Sequence, residues 1–215
     1  MDETIPYVAD FHNLCFDIHF DAGLYFDLLQ VGNGNQSADQ LYQSIENRFR
    51  IGFPEHAGFL TYLENHDESR YIENVGADAV RAAATAAFTL PGVPMIYAGQ
   101  EFGERQRRGT THWEHANEEL LSFYHRLTEA YDDIDALGAD ADFEPVTFEA
   151  DSERVVAYAR EDDDGRFIVV LNFGHESQVV GLPEETITPT DQLSGTTVAA
   201  EGGVTVEDAV ILPAE

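Results

Sequence analysis

The sequence predicts an α/β fold in which a parallel-sheet unit over residues 1–137 is followed by a small antiparallel β-sandwich domain over residues 138–215. In the first part, apolar runs of strand length alternate with helical patterns, which is typical of units built on a parallel sheet. From Leu137 and Gly138 onward no helical stripe is found, and short alternating runs separated by turn residues indicate antiparallel strands.

Three apolar runs in the first unit predict strands, at Leu14–His19, Gly58–Glu64 and Val93–Ala98. The second and third runs are nearly continuous in apolar residues, a pattern typical of a parallel strand that is covered on both faces. Each then stops at polar residues, Asn65-His66-Asp67 after the second run and Gly99-Gln100-Glu101 after the third. Because α/β barrels place their active sites at the carboxyl ends of strands, these residues are candidates for a site. An ordinary strand end with solvated polar residues fits the same pattern.

Four helical patterns accompany these strands, at Phe20–Val31, Ser37–Phe49, Asp78–Leu90 and Asn117–Ile134. In the second, Ser37 and Gln40 fit a capping box at the helix start. Leu41, Ile45 and Phe49 follow at a spacing of four, which predicts that they share its buried face. In the last, the first residue can serve as N-cap, and the two glutamates after it suit the positive end of the helix dipole.

Short strands are predicted for the second unit. The runs Val155–Arg160 and Phe167–Phe173 flank Asp164-Gly165, a dipeptide that is a strong hairpin signal. Strands of this length, joined by tight turns, favour a sandwich of two antiparallel sheets.

Charge is the most unusual property of the composition: 41 acidic residues stand against 11 basic ones, all of them arginine, for a formal net charge of −30. Such a field repels nucleic-acid phosphates and anionic membrane surfaces, so neither is expected as a partner. The acids are spread along the chain, which favours a protein adapted to concentrated salt, where the Debye length falls to about 3 Å at 1 M. A basic partner is an alternative explanation, but it would favour acids gathered on one face.

The single cysteine and the apolar pattern indicate whether the chain forms a disulfide, spans a membrane or carries a secretion signal. Cys15 excludes an intrachain disulfide and, because it lies among Leu14, Phe16 and Ile18, is expected to be a buried structural thiol. No apolar run approaches the length of a membrane span. Residues 1–4 carry neither the basic region nor the apolar core of a signal peptide, so the sequence predicts a cytoplasmic chain.

Carboxylates and a histidine are the chemical groups gathered at the predicted strand ends. Glycoside hydrolysis requires two carboxyl groups that flank the scissile bond, one protonated to donate to the leaving oxygen and one ionised. Asp67, Glu101 and, near the start, Glu3 are candidates, and the imidazole of His66 can hydrogen-bond sugar hydroxyls. Because 41 of the 215 residues are acidic, spacing alone does not separate working carboxylates from solvated ones. The remaining histidines are too scattered to indicate a zinc site, and no metal site is predicted.

Two segments carry a resemblance to a known family. Phe59–Arg70, with the sequence FLTYLENHDESR, resembles the fourth conserved region of the α-amylase family, glycoside hydrolase family 13, in which a hydrophobic strand ends in Asn-His-Asp. Pro91–Gly103, PGVPMIYAGQEFG, resembles the eighth barrel strand of that family and its exit. The resemblance implies a partial (β/α)8 TIM barrel, comprising the last three to four strands, followed by the family's C-terminal β domain. The acidic composition in turn resembles that of haloarchaeal proteins.

The resemblance also implies roles for individual residues. Asp67 would stabilise the transition state and bind sugar hydroxyls, and His66 beside it would bind substrate. Glu3 resembles the general acid/base glutamate of the family's third conserved region, although an acid near a chain terminus is usually only solvated. Arg70 either contacts substrate or holds a neighbouring carboxylate in a structural ion pair.

The chain departs from the family pattern in the parts that it lacks. The family's nucleophilic aspartate lies in an arginine-and-aspartate motif on barrel strand four, and neither this motif nor the Asp…Asn-His region of strand three is found. The inserted domain that commonly carries calcium is also missing, so no cofactor is expected here. A retaining mechanism needs both catalytic carboxyl groups, about 5 to 5.5 Å apart, and three or four strands do not close a barrel. A truncated chain that is inactive alone is therefore expected.

The expected function is that of an α-amylase-family glycosidase acting on α-glucosidic bonds of starch-like glucans or maltooligosaccharides by a retaining mechanism. As alternatives within the family, the same motifs serve transglycosylases and debranching enzymes. As an alternative outside catalysis, the chain binds glucan weakly or associates with a separately encoded N-terminal half. The expected partners are thus an α-glucan or maltooligosaccharide and, in the last case, a second polypeptide.

Overall fold

The computed structural model describes residues 10, 12, 14–54, 57–183 and 188–214 of the chain. Within them, three parallel strands with their helices come first and seven antiparallel strands follow, so the predicted succession of an α/β part and an antiparallel part is confirmed. The change falls between a 3-10 turn that ends at Leu137 and the strand that begins at Asp142. The domain boundary between residues 137 and 138 itself stays a prediction.

Three short strands form the parallel sheet, in the order β1 (Ile18–Phe20), β2 (Gly58–Tyr62) and β3 (Val93–Met95). The central strand β2 pairs with β1 on one side and with β3 on the other. All three strands overlap the predicted runs and are shorter than them, because the apolar residues extend beyond the paired backbone.

The helices of the first part are α1 (Ala22–Gly32), α2 (Gln40–Arg50), α3 (Tyr71–Val75), α4 (Val80–Thr89) and α5 (Glu118–Asp133). The four predicted helices correspond to α1, α2, α4 and α5, whereas the single turn-and-a-half of α3 is too short to show a periodicity. As predicted, Asn117 caps α5: its side-chain oxygen accepts from the N–H groups of Glu119 and Leu120, each at 3.1 Å. Across the described residues, none of the helices combines the length and the apolar composition that a membrane crossing requires.

The start of α2 differs from the prediction. The helix begins at Gln40, after Asp39, and no side-chain hydrogen bond caps it. The capping box is therefore wrong: the Ser37 hydroxyl donates to the Asp39 carboxylate instead of accepting from the helix backbone.

The inner face of α2 also differs, since Phe49 is 55% exposed. Phe49 is rotated by about 80° from Leu41 around the helix axis, so the spacing of four carries it off the buried face. Arg48 takes the inward position and pairs with the buried Asp21. A buried ion pair thus replaces the apolar contact that the sequence predicted.

Helix α4 lies between the two parts of the molecule. All of its residues except Arg81 are buried, because the parallel sheet packs on one side and the antiparallel part on the other. The Thr61 hydroxyl of β2 donates to the Ala87 carbonyl oxygen at 2.6 Å. At the helix end, the Thr89 hydroxyl is hydrogen-bonded to the Tyr158 hydroxyl of the antiparallel part.

The antiparallel strands are β4 (Asp142–Pro145), β5 (Val155–Glu161), β6 (Arg166–Asn172), β7 (Gln178–Val180), β8 (Ala199–Ala200), β9 (Gly203–Val206) and β10 (Ala209–Ala214). They form two sheets, in the orders β10-β6-β5-β4 and β7-β9-β8. Buried residues of β5, β6 and β10 pack against those of β7 and β9, so the two sheets form the predicted sandwich. The predicted hairpin joins β5 to β6, and in its turn the Asp162 carboxylate accepts from the N–H groups of Asp164 and Gly165.

One hydrophobic core joins the two parts. The residues of β5 and β6 that face away from the second sheet, such as Tyr158 and Leu171, pack with the helices. The fully buried Arg160 donates to carbonyl oxygens at the end of α4 and in the segment before β4. Arg154 donates to carbonyl oxygens at the end of α1. The sandwich is therefore packed directly on the helices of the first part.

Within the described structure, helices cover one face of the parallel sheet, and the other face is covered only near Tyr62, which stacks on Tyr25 of α1. Thr61 faces α4, whereas Ile18, Phe20 and Val93 lie on the opposite face and are 46%, 48% and 40% exposed. Cys15 is also exposed, and the expectation of a buried thiol is wrong. The reason is that β1 begins three residues later, so Cys15 lies ahead of the sheet instead of within it.

Candidate active site

Two adjacent side chains project from the turn that follows β2. Asn65 shapes this turn, because its side-chain oxygen accepts from the N–H groups of Asp67 at 2.7 Å and Glu68 at 3.0 Å. His66 and Asp67 point outward, with side chains 68% and 66% exposed, and His66 Nε2 lies 3.2 Å from Asp67 Oδ2. The structure therefore places these two predicted site residues side by side at the carboxyl end of the central parallel strand.

A buried ion pair supports the Asn65–Glu68 turn. The side chains of Glu64 and Arg70 are each 3% exposed, and Arg70 Nη1 donates to Glu64 Oε2 over 2.7 Å. Glu64 Oε1 accepts from the Tyr71 N–H at 2.9 Å. Burial raises the pKa of the Glu64 carboxyl, while these two hydrogen bonds oppose the rise and favour the ionised form. The pair closes the loop that carries the two outward side chains.

Arg70 uses every nitrogen of its guanidinium within the protein. Besides Glu64, it donates from Nε to the Gln106 carbonyl oxygen at 2.7 Å and from Nη2 to the Ala98 carbonyl oxygen at 3.0 Å. The guanidinium also lies over the Tyr97 ring, with Cζ 4.5 Å from the ring centroid. The sequence left two roles open for Arg70, and its burial and full set of partners favour the structural ion pair. Contact of Arg70 with substrate stays an untested prediction.

A second buried carboxylate organises the loop after β3. Glu104 accepts from the N–H groups of Arg105, Gln106 and His112, each at 2.8 Å. The His112 ring nitrogen Nδ1 lies 3.0 Å from the same carboxylate. These hydrogen bonds, led by the one from Gln106, lower the pKa of Glu104 to about 2. The ionised Glu104 thus holds together the two ends of the segment 105–112.

The loop after β3 returns to the Asn65–Glu68 turn. Arg108 donates from Nε to the His66 carbonyl oxygen at 2.5 Å and from Nη2 to Asp67 Oδ1 at 2.8 Å. Arg107 donates to the Asp67 carbonyl oxygen. Asp67 therefore has an arginine on one carboxylate oxygen and the His66 ring beside the other.

The other predicted carboxylates do not join this pair. Glu3 lies outside the described residues. Glu101 turns back on its own loop, where its carboxylate accepts from the Gly99 N–H at 2.8 Å. Its neighbour Gln100 is buried and donates to the Tyr124 hydroxyl at 2.8 Å. The end of β3 therefore contributes support for the loop and no second exposed carboxylate beside Asp67.

Sequence reasoning missed the parts played by Glu64, Glu104 and Arg108. One signal was available: residues 105–108 contain three of the 11 arginines of a strongly acidic chain, which indicates carboxylates or carbonyl groups nearby. The two buried glutamates had no such signal, because they are indistinguishable in sequence from the many solvated acids.

A separate acidic cluster lies in the region of the β5–β6 hairpin. Asp135, Asp162 and Asp164 place carboxylate oxygens within 4.8 Å of one another. The hydrogen bonds of Asp162 in the hairpin turn account for part of this approach. Exposed acids are also common in a chain of net charge −30, so no metal role follows.

Fold and site together define a class of protein. They combine the last strands of an α/β barrel, an Asn-His-Asp turn at the carboxyl end of a parallel strand, and an attached β-sandwich. The family described as "Alpha amylase, catalytic domain" matches residues 25–166. The chain belongs to the α-amylase family, which confirms the resemblance that its motifs carry. A second family, "Beta-galactosidase C-terminal domain", matches residues 154–209, within the sandwich.

Individual relatives agree with this assignment. The α-amylase MalA of Haloarcula japonica is 50% identical over 222 residues, covering 100% of this chain and 33% of that protein. A 1,4-α-glucan branching enzyme of Prochlorococcus marinus is 27% identical and is matched by 82% of this chain over 27% of its own length. The solved structure of the Geobacillus thermoleovorans α-amylase complexed with acarbose matches 100% of this chain with a TM-score of 0.80 and 22% identity, over 52% of that structure. The chain thus spans a third of the first relative and about half of the solved structure.

Proposed function

We propose that the chain supplies the transition-state-stabilising part of a catalytic site that hydrolyses α-glucosidic bonds. The observation that carries this proposal is the exposed pair of His66 and Asp67 at the carboxyl end of the central parallel strand, held by the buried Glu64–Arg70 pair. Membership in the α-amylase family supports it. Further support comes from the names of the similar proteins, an α-amylase and a solved α-amylase complexed with acarbose.

Asp67 has the hydrogen-bonding capacity that this role requires. An ionised carboxylate offers about four lone-pair positions, of which Arg108 takes one on Oδ1 and His66 lies beside one on Oδ2. The remaining positions face solvent and can accept from two neighbouring hydroxyls of a glucose ring. As the glycosidic bond breaks, the ring gains oxocarbenium character, and a fixed negative charge beside it lowers the barrier. His66 would hydrogen-bond a further hydroxyl.

Hydrolysis with retention needs two more carboxyl groups. We assign the acid/base role to Glu3, on the resemblance alone. The arginine-and-aspartate motif of the family's nucleophile does not occur in the 215 residues. The described residues contain three parallel strands, which do not close a barrel. The 215-residue chain alone is therefore expected to bind glucan weakly without hydrolysing it.

The incompletely covered face of the parallel sheet suggests how the site would be completed. Parallel sheets occur almost only with both faces covered, yet Ile18, Phe20 and Val93 are exposed on this face. We propose that further barrel strands pack there and bring the nucleophile to Asp67. Those strands would belong either to additional sequence of the same polypeptide or to a separately encoded N-terminal half.

Glucan binding by the purified chain tests the proposal. Maltoheptaose is titrated into the 215-residue chain in molar KCl and followed by two-dimensional NMR, with a parallel assay for released reducing sugar. We expect weak, saturable binding that shifts the amide signals of residues 65–68, and no turnover. Asp67→Asn and His66→Ala should abolish the binding. Arg50→Gln, which changes an exposed arginine at the end of α2, is the matched control and should bind normally.

Three results would count against the proposal. Absence of binding by the unaltered chain, or binding that survives Asp67→Asn, would remove the role given to the Asn65–Glu68 turn. Turnover by the chain alone would contradict its expected inactivity and show that a second catalytic carboxylate is present.

Transglycosylation is the second candidate function. The branching enzyme of Prochlorococcus marinus, which matches 82% of this chain at 27% identity, supports this alternative. Hydrolysis and transglycosylation can be distinguished in an assay in which the missing strands are supplied together with the chain. Hydrolysis of maltoheptaose would increase the number of reducing ends, whereas transfer between glucan chains would leave that number unchanged while product sizes spread.

A further inference from the structure

The segment Arg105–Arg108, called the arginine arm below, is the most basic part of the chain. It contains three of the 11 arginines in a protein with a net charge of −30. Its base is fixed from two sides: Glu104 accepts from the N–H groups of Arg105 and Gln106, and Arg70 donates to the Gln106 carbonyl oxygen. The arm therefore extends from a base that two buried, charged side chains hold in place.

The end of the arm contacts the Asn65–Glu68 turn. The Arg108 guanidinium bridges two consecutive residues, since it binds the His66 carbonyl oxygen through Nε and the Asp67 carboxylate through Nη2. Arg107 binds the carbonyl oxygen of Asp67. A planar guanidinium that donates in two fixed directions sets the orientation of its acceptors as well as their distance.

These contacts differ from an ordinary surface ion pair. The side chains of Arg108 and Asp67 are 60% and 66% exposed, and an isolated pair of that kind contributes little, least of all in molar salt with a Debye length of about 3 Å. Two of the three contacts, however, end on backbone carbonyl oxygens, which carry no net charge for salt to screen. The arm therefore acts on the shape of the turn as well as on its charge.

We propose that Arg108, assisted by Arg107, is a positioning residue of the glucan site: it clamps the Asn65–Glu68 turn so that the free lone pairs of Asp67 face the vicinal hydroxyls of a neutral sugar ring. This inference rests on the proposed function of Asp67 and adds to it the group that orients the carboxylate. The neutral ligand class follows from the proposed function, and Arg105 and Arg108 already pair with the carboxylates of Glu73 and Asp67. Arg108 acts through Asp67 and is not itself assigned to the sugar.

A ligand-free measurement tests the clamp. Relaxation of ¹⁵N in the 215-residue chain gives order parameters for the Asp67 and Glu68 amides, for which about 0.85 marks rigid backbone and less than about 0.6 flexible backbone. We expect rigid values in the unaltered chain and in Arg50→Gln, and a fall toward the flexible range in Arg108→Gln. Arg108→Lys keeps the charge but loses the two-direction fork, so it should not restore rigidity.

The outcomes of this measurement are distinct. Rigid amides in Arg108→Gln, or full rescue by Arg108→Lys, would overturn the clamp. Because Arg108 is exposed, its variants should fold like the unaltered chain, which is checked by unchanged amide signals outside the turn and the arm.

Maltoheptaose binding then tests the positioning role. Arg108→Gln should weaken binding by about threefold to tenfold, the effect of one lost hydrogen bond, and Arg50→Gln should not weaken it. If the unaltered chain binds and Arg108→Gln binds equally well, the positioning role is overturned while the proposed function stands. If the unaltered chain does not bind, the proposed function fails, and the relaxation result still decides whether the arm clamps the turn.

Discussion

The two parts of the molecule differ in how completely their sheets are covered. In the sandwich, the four-stranded sheet packs against the second sheet on one face and against helices on the other, and β5 has six buried residues in succession. The parallel sheet packs against helices on one face, while Ile18 and Phe20 on its other face are 46% and 48% exposed. The described residues thus cover both faces of the four-stranded sheet of the sandwich, but they leave one face of the parallel sheet incompletely covered.

The candidate site belongs to the less completely covered part. Apolar packing, together with hydrogen bonds from Arg154 and Arg160 to helix carbonyl oxygens, holds the sandwich against the helices. The Glu64–Arg70 pair and Glu104 hold the loops around Asp67. Hydrogen bonds to charged groups are directional, so they can set the geometry of a loop where the apolar cover is incomplete. The loops of the site thus depend mainly on charged groups, and the core depends mainly on apolar packing.

Removal of salt should have the largest effect, and it tests whether the two parts unfold together. Repulsion among the carboxylates of a chain with net charge −30 grows as the Debye length rises from about 3 Å at 1 M to about 10 Å at 0.1 M. We expect the fold to be lost over this range in one transition, because both parts share one core. Fluorescence of Trp113, the single tryptophan, reports the first part, and NMR signals of β5 report the sandwich. Two separate transitions would show that the shared core does not couple them.

Arg70→Met should cost about 3–5 kcal/mol of unfolding free energy, because it leaves Glu64 buried without its partner. The matched surface change is Arg81→Met, which breaks a pair with Asp208 in which the arginine side chain is 35% exposed. That change should cost less than about 1 kcal/mol. Urea unfolding in molar KCl measures both. Equal costs would contradict the view that a buried pair holds the site.

Glu104→Gln should cost about 1.5–3 kcal/mol, since it removes the charged acceptor of several hydrogen bonds. The pKa of Glu104 is lowered from 4.5 to about 2 in the folded chain, so folding favours its ionised form. Its contribution is therefore complete above a pH of 4.5 and is lost as the pH falls toward 2. The stability difference between the unaltered chain and Glu104→Gln should shrink over that interval, as urea unfolding at a series of pH values would show. A stability difference that stays constant between pH 4.5 and 2 would contradict the view that the ionised form of Glu104 stabilises the fold.

Asn117→Ala should have the smallest of these effects, about 1 kcal/mol, because it removes the N-cap of α5. Asn117→Ser retains an accepting oxygen and should be nearly neutral. Since α5 packs into the shared core, the loss should appear equally in the fluorescence of Trp113 and in the β5 signals during urea unfolding. If only one of the two probes reported a loss of unfolding free energy, α5 would stabilise only the part of the molecule that this probe reports.

The candidate site shows how far the sequence leads. Asn65-His66-Asp67 could be placed at a strand end, because an apolar run and the polar triplet after it are adjacent in the chain. The contact of Arg108 with Asp67 could not, since 41 residues separate the two and only the return of the loop joins them. Glu64 could not be singled out either, because its buried role depends on Arg70 and the backbone of Tyr71.

The order of residues alone was enough for the fold class, the three strands and four of the five helices of the first part, the hairpin at Asp164-Gly165 and the family. The fold class, the elements and the hairpin follow from periodicity and short-range turn chemistry, which act between residues close in sequence. The family follows from the resemblance of Phe59–Arg70 and Pro91–Gly103 to its motifs. Folding alone decided that Arg48, not Phe49, enters the core, that Cys15 is exposed, and that the partner of Arg70 in a buried ion pair is Glu64. The physical reason is that burial and ion pairing depend on which distant segment covers a residue, and neighbours in sequence do not specify that segment.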